Sequence, residues 1–367
     1  MASETSKTQK RKWWRNLAIV LSTILLIGSL LTACSDQDVE EGVGIVFDII
    51  FDILSDTEET ESPDGTEQTE KPGDSVSLPV TGEMDVHFFD MGQADATLFI
   101  SDGKVMLFDV GEYKDGDELT ENLRALGINY IDVLVLSHPH DDHLGAASII
   151  VDEFEIGTIY CPDFHDVMED NPPAWYEKME DSIENKYLDK HPEVEDAYWY
   201  EIVELPKNEN GEFAEFEIGQ AKVNFLAPLK DRYSDKNDYS ICAIISFGDI
   251  DVMLTGDATV PVEKELMEQG YDLDIEIFQA GHHGSDTSNH REFINAMSPD
   301  CIVISCGMKN KYKHPSQSII DMWEEMKIPV YRTDESGTII MTTDGKTYSF
   351  NVEPGTYTSG AEYREGK

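Results

Sequence analysis

Positive charge is scarce in this sequence: 27 lysines and arginines face 74 aspartates and glutamates, a formal net charge of −47. A polyanion is repelled by such a chain at long range, so strong nonspecific adhesion to nucleic acid or anionic lipid is excluded. Any anionic substrate must be recruited locally, by metal ions or a few basic groups. Cysteine is also rare, with five in 367 residues, too few and too scattered for a disulfide framework. No apolar run reaches the roughly 20 residues that a membrane-spanning helix needs. The longest, Leu17 to Leu31, stops at 15. There are only ten histidines, and three of them fall within six residues, His138, His140 and His143, interleaved with Asp141 and Asp142. Random scatter does not give such a cluster, and its chemistry is that of a metal site.

The N-terminus differs from the rest. Lys7, Lys10, Arg11, Lys12 and Arg15 precede the apolar run, and Leu31-Thr32-Ala33-Cys34 follows it. This layout, over residues 1–34, is that of a secretory signal and resembles the lipobox of bacterial lipoproteins, which implies that Cys34 is lipidated and becomes the first residue of the mature chain. The mature chain would keep 22 basic against 73 acidic residues, a net of −51. The expected location is extracytoplasmic, lipid-anchored to the bacterial cell membrane. The remaining Cys161, Cys242, Cys301 and Cys306 read as core thiols. Cys301 and Cys306, on either side of a buried strand, should face opposite sides of it and not pair.

Residues 35–82 read as an acidic flexible tether, with one short apolar segment from Gly44 to Leu54 and a stretch rich in Glu, Thr, Ser, Pro and Gly from Ser55 to Val80. From Met84 an α/β pattern begins. Strands are expected over 85–90, 104–110, 131–136, 221–226, 241–247, 251–257, 274–279, 301–305 and 338–342, and helices over 118–126, 144–154 and 262–269. The domain is placed at 83–353. Residues 162–217, acidic and aromatic, read as a surface insertion in preference to a lid, and 354–367 as a polar tail.

The chemistry sits at strand ends. His138, His140, Asp142 and His143 follow a buried strand, and their spacing supplies ligands for two ions. Leu254-Thr255-Gly256-Asp257 delivers a carboxylate suited to bridging two metals. His282-His283-Gly284-Ser285 again follows a strand. Two ions a few ångströms apart suit hydrolysis of an ester by a metal-bridging hydroxide.

Taken together these motifs resemble the metallo-β-lactamase superfamily, and more narrowly the hydrolase domain of ComEC-type DNA-uptake proteins. The residues that carry the resemblance are FFDMGQADA (Phe88 to Ala96), FDVG (Phe108 to Gly111), SHPHDDHLGA (Ser137 to Ala146), NDYS (Asn237 to Ser240), LTGDA (Leu254 to Ala258), GHHGSDTS (Gly281 to Ser288), HPS (His314 to Ser316) and RTDESGTI (Arg332 to Ile339). The resemblance implies a four-layer αββα sandwich with two divalent ions, Zn or Mn, at one sheet edge. It makes His138 and His140 ligands of the first ion and Asp142 and His143 ligands of the second. Asp257 bridges, His282 or His283 completes the second site, and Asp109 orients the cluster from behind. One position departs from the superfamily: Asp238 stands where many members have a histidine, about 19 residues before the bridging aspartate. Asp238 is then a substitute oxygen ligand, which favours manganese, or the first site is half-filled.

Asp142, Ser285, Ser288 and His314 are candidates for contacts with the reacting group. Lys309, Lys311, Tyr312 and Lys313 form the one compact basic patch of the mature chain, beside His314. Asp90, Gln93 and Asp95 read as loop supports. The function implied is an extracytoplasmic metal-dependent phosphodiesterase or nuclease, its partner a phosphodiester in nucleic acid, a nucleotide or a wall polymer. Two alternatives compete: a lactamase- or lactonase-type acyl hydrolase, and a non-catalytic surface binding module of the same fold. ComEC-type proteins pair this domain with a multi-helix channel, so the resemblance carries the hydrolase chemistry and not the transport.

Overall fold

The computed structural model describes residues 82–162, 174–190 and 213–365, with Ile202, Val203, Leu205 and Lys207 between them. The signal segment with Cys34, and all of the tether but Gly82, lie outside the described residues.

In chain order the strands β1 to β5 are Met84–Phe88, Thr97–Ser101, Lys104–Phe108, Tyr130–Val135 and Glu155–Tyr160. Strands β6 to β10 are Ile202–Val203, Phe216–Ile218, Ala221–Ala227, Cys242–Phe247 and Ile250–Leu254. Strands β11 to β15 are Ile277–Gln279, Cys301–Ile304, Val330–Arg332, Ile339–Thr343 and Tyr348–Phe350. The α-helices are α1 Gly116–Ala125, α2 Asp141–Leu144, α3 Ala147–Glu153, α4 Ala174–Lys190, α5 Val260–Gln269, α6 Arg291–Met297, α7 Gln317–Met326, α8 Thr333–Ser336 and α9 Gly360–Glu365.

The strands form two sheets, in the orders β15-β14-β1-β2-β3-β4-β5-β6 and β13-β12-β11-β10-β9-β8-β7. Period-two alternation decides the layering, because each buried strand has an apolar side chain on both faces. In β3, Val105 and Leu107 join a core under α1, α3 and α4, whereas Met106 and Phe108 join the core between the sheets. In β10, Val252 and Leu254 face that central core while Met253 faces the helices α5, α6 and α7. Three apolar cores therefore separate four layers, helix, sheet, sheet and helix, as the resemblance implied. Cys301 faces the central core and Cys306 the helical one, and all four cysteines Cys161, Cys242, Cys301 and Cys306 are buried free thiols.

Two readings are corrected. The stretch after residue 353 does not hang off as a polar tail: buried Arg332 donates to the carbonyls of Thr356 and Thr358, and Gly360 N–H bonds the Pro315 carbonyl at 3.0 Å. Within the insertion, α4 packs Tyr176 and Met179 into the first helical core and β6 pairs with β5, so these parts belong to the layers of the fold.

The parallel strands matter most for function. β3 and β4 run parallel in one sheet, and β10, β11 and β12 in the other. The carboxyl ends of such strands are where α/β sheets place ligands. The segments that follow them carry Asp109, His138 to His143, Asp257 and His282-His283. Ile241 N–H reaches across to the Ser137 carbonyl at 3.0 Å, tying the two strand-end loops together.

Candidate metal centre

Asp109 ends β3 in a left-handed conformation, φ 60°, and its carboxylate is buried. One oxygen accepts from Ser137 N–H at 2.7 Å; the other accepts from the Ser137 hydroxyl at 2.7 Å and meets His143 Nδ1 at 2.7 Å. The Ser137 hydroxyl in turn lies 3.0 Å from His138 Nδ1. Because Ser137 gives its proton to Asp109, the proton in the second bond comes from His138. Both rings are thereby fixed with Nδ1 protonated and Nε2 free to act as a ligand, the arrangement in which a carboxylate behind a histidine sets its tautomer.

Asp257 follows Gly256, whose φ is 49° and whose absent Cβ would sit 3.0 Å from the hydroxyls of Ser137 and Ser240. That crowding explains glycine here: the turn needs a positive φ and has no room for a side chain. Ser240 accepts from Asp257 N–H at 3.1 Å, aiming the carboxylate into the cluster. Its Oδ1 lies 3.1 Å from His143 Nε2, and its Oδ2 lies 3.5 Å from His138 Nε2 and 3.4 Å from His282 Nε2. His140 Nδ1 stands 3.0 Å from His138 Nε2, and His283 Nε2 stands 3.5 Å from an Asp142 oxygen.

Among the described residues, His138, His143 and Asp257 form one group able to hold an ion, and Asp142, His143 and His283 another. Three buried atoms in these groups, His143 Nε2, Asp257 Oδ1 and His283 Nε2, have no hydrogen-bond partner. Orphaned polar atoms in a core are costly and rare. Here they converge, which is what a divalent ion bound by imidazole and carboxylate requires. The electrostatics agree. Burial would raise the Asp257 pKa, but the neighbouring His143 and His138 hold it well below the carboxylate range. Burial would lower that of His143, but Asp257 and Asp109 push it well above the ordinary value. The site favours positive charge, which a divalent ion would supply. His140, depressed to about 4 by burial and by His138, is neutral at pH 7 and available as a ligand.

The His282-His283 loop is held from behind. Asn289 accepts from Gly281 N–H at 3.0 Å and donates to the carbonyls of Gly281 and Ser285. Glu263 of α5, nearly fully buried, accepts from the backbone N–H of Asn289 and, at 2.9 Å, of His290. Burial pushes the Glu263 pKa up from 4.5 to about 7. A folded-state pKa above the unfolded one means that the folded protein holds the proton more tightly between those values. That stability is complete below about pH 4.5 and is lost as pH rises through 7, on the order of 3 kcal/mol. Thermal melts of wild type and Glu263→Gln from pH 5 to 8 should show the wild type losing ground to the variant as pH rises. A difference that stays flat would contradict this.

A cavity of about 390 Å³ opens over the cluster. One side of it is lined by the candidate ligands His140, Asp142, Asp257, His282 and His283; the rest of its lining is Trp175, Lys311, Tyr312 and His314, with Glu112 and Asp141. Of the expected basic patch, Lys311 and Tyr312 reach the cavity. The His314 ring stacks on Tyr312 at 5.7 Å, and its Nδ1 lies 3.4 Å from Gln93 Nε2.

Three expected residues are placed otherwise. Asp238 is not brought to the cluster: its Oδ1 accepts from the backbone and hydroxyl of Thr259, at 3.2 and 2.5 Å, at the start of α5. Ser285 is buried with its hydroxyl against Thr287 at 2.9 Å, and Ser288 donates to the Ala258 carbonyl at 2.8 Å; neither lines the cavity. Both hydroxyls are spent on loop geometry. Two residues were not read as site residues. Asp95, expected to support a loop, lies 3.2 Å from His283 Nδ1. Trp175 comes from the insertion, where its position among several aromatic residues gave no signal of its own.

Residues 90–307 match the family model described as the metallo-beta-lactamase superfamily. The chain is 26% identical to ComE operon protein 3 of Bacillus subtilis over 75% of this chain and 35% of that protein. It is 28% identical to competence protein ComA of Neisseria gonorrhoeae, over 70% of this chain and 32% of that one. It thus spans about a third of the length of these curated relatives. Among solved structures, the metallo-beta-lactamase fold protein YhfI of Bacillus subtilis aligns with a TM-score of 0.42 at 10% identity, covering 70% of this chain and 98% of that one. On the family match and the site geometry, the chain belongs to the metallo-β-lactamase superfamily and is similar to part of the ComEC-type competence proteins.

Proposed function

We propose that the protein is an extracytoplasmic metal-dependent phosphodiesterase, held at the cell membrane by a lipid on Cys34, with a phosphodiester of a nucleic acid, nucleotide or wall polymer as substrate. The observation that carries the hydrolase reading is the convergence of five imidazoles and two carboxylates beside an open cavity, three of their buried ligand atoms having no hydrogen-bond partner. His138, His140, Asp142, His143, Asp257 and the His282-His283 pair are the residues that would hold two divalent ions. Bound there, zinc or manganese supplies a Lewis acid and an activated water.

The chain's own residues do the remaining work. Asp109 and Ser137 keep His138 and His143 in one tautomer and one orientation. Lys311, beside the cavity, offers the positive charge that an acidic chain otherwise lacks, so a phosphodiester anion can approach. His314, neutral at pH 7 because burial and the neighbouring His283 and His282 hold its pKa near 4, presents a ring to the same space. Trp175 and Tyr312 supply flat apolar surface for whatever the phosphate carries.

Hydrolysis of bis-p-nitrophenyl phosphate is the assay. The wild type should be active, lose activity in EDTA and regain it with Zn²⁺ or Mn²⁺, and His140→Ala should lose at least about 10²-fold. Turnover of nitrocefin or an acyl lactone without phosphodiesterase activity would replace this reading with an acyl hydrolase. A fully metallated protein inert to all three substrates would leave a binding module. Labelling with a palmitate analogue, lost in Cys34→Ala, checks the anchor.

A further inference from the structure

We infer that the two adjacent histidines serve different ions: His282 belongs with His138 and His140 at the first, and His283 with Asp142 and His143 at the second. This rests on the reading of the cluster as a dinuclear centre. The two oxygens of Asp257 mark the division. Oδ2 has the Nε2 atoms of His138 and His282 near it, at 3.5 and 3.4 Å, with His140 Nδ1 beside His138. Oδ1 has His143 Nε2, and His283 Nε2 stands with Asp142 on that other side.

The backbone explains how neighbours part company. Both residues are left-handed, φ 50° and 54°, and their rings stand 6.2 Å apart at 65°. Such a conformation is uncommon for non-glycine residues, and two in succession at a site argue for function. Each ring is also anchored separately through Nδ1: His282 at 3.0 Å from the Thr287 hydroxyl, His283 at 2.9 Å from the Ser305 carbonyl. A carbonyl only accepts, so His283 Nδ1 carries the proton and Nε2 is the ligand atom. With Asp238 turned to Thr259, the first group lacks the residue that usually precedes the bridging aspartate, and His282 supplies an imidazole in its place. The first group then offers three nitrogens and one oxygen, the second two of each. Imidazole-rich donors suit zinc, so the substitution at 238 does not turn the first site toward manganese.

The test counts zinc by mass spectrometry in the full chain after loading with Zn²⁺ and gel filtration, with circular dichroism confirming fold. Wild type and Asp238→Ala should hold two ions per chain, and His282→Ala one. The decisive pair are doubles. His140→Ala with His282→Ala removes two ligands of the same ion and should retain one. His140→Ala with His283→Gln removes a ligand of each and should retain none. If the buried His283 variant does not fold, Asp142→Asn takes its place with the same expectation. Equal counts in the two doubles, the reverse order, or an Asp238→Ala that loses an ion while His282→Ala keeps two, would overturn the assignment. A wild type that folds and binds fewer than two ions would instead overturn the dinuclear reading beneath it.

Discussion

Asp257→Ala is expected to lose both ions and all measurable hydrolysis while the fold survives. Among the described residues, Asp257 is the side chain whose two oxygens reach both halves of the cluster, and it is buried among imidazoles. Removing it takes a ligand from each ion at once. It also removes the negative charge that lets two cations approach each other in a low-dielectric site. Loss of a supporting outer residue typically costs 10–100-fold in metal affinity, so loss of a shared direct ligand should cost on the order of 10²-fold or more for each ion. The β10 strand that delivers Asp257 is held by its ladder to β9 and β11, not by this carboxylate, so circular dichroism should remain native. Zinc content near zero with an intact melt is the expected result. Retention of one tightly held ion would show that Asp257 serves a single site.

Asp109 separates ion affinity from stability. Its carboxylate accepts from Ser137 N–H, Ser137 Oγ and His143 Nδ1, all in the core. Asp109→Ala leaves the Ser137 N–H and the His143 Nδ1–H without acceptors, about 1–3 kcal/mol each, so a drop in stability of several kcal/mol is expected. Asp109→Asn is the more informative change. Asparagine tolerates the positive φ and can keep the acceptor for Ser137 N–H, while its NH2 takes the place of the oxygen that Ser137 Oγ and His143 Nδ1 share. Its amide, however, presents N–H to His143 Nδ1 and forces the other tautomer, placing a proton on Nε2 where the ion must bind. Asp109→Asn should therefore melt close to wild type and bind the second ion 10–100-fold more weakly. Equal loss in both variants would mean that Asp109 acts through the fold alone. Metal titrations with a competing chelator, paired with thermal melts, distinguish the outcomes.

Much of the framework was legible in the sequence because it rests on local signals. The buried strands before His138 and Asp257 are continuous apolar runs, and the ligand-rich loops follow them directly. The cysteine placement also followed from strand alternation. The strands Thr97–Ser101 and Glu155–Tyr160 were not assigned, nor were Val330–Arg332 and Tyr348–Phe350, where three residues cannot display a period. The helices Arg291–Met297 and Gln317–Met326 also went unread, although Ile319, Ile320 and Trp323 on α7 carry helical spacing.

At the centre, the residue types were legible and their partners were not. Asp238 lies at the sequence position of a ligand, but its direction is set by Thr259, 21 residues away. In the same motif the residue that serves the site is Ser240, through the Asp257 backbone. Sequence spacing places a residue on a loop; tertiary hydrogen bonds decide where its side chain points. The choice between His282 and His283 was closed to sequence for the same reason, since adjacent residues share their local pattern and differ only in what lies behind them. Trp175 shows the remaining limit, because only the packing of α4 brings the insertion to the cavity.

The most direct measurement is a crystal structure of the zinc-loaded protein with anomalous data collected on both sides of the zinc edge. Two anomalous peaks, one on each side of the Asp257 carboxylate, are the expected result. A single peak away from Asp257, or none in a crystal grown with excess zinc, would contradict the dinuclear centre on which the hydrolase reading depends.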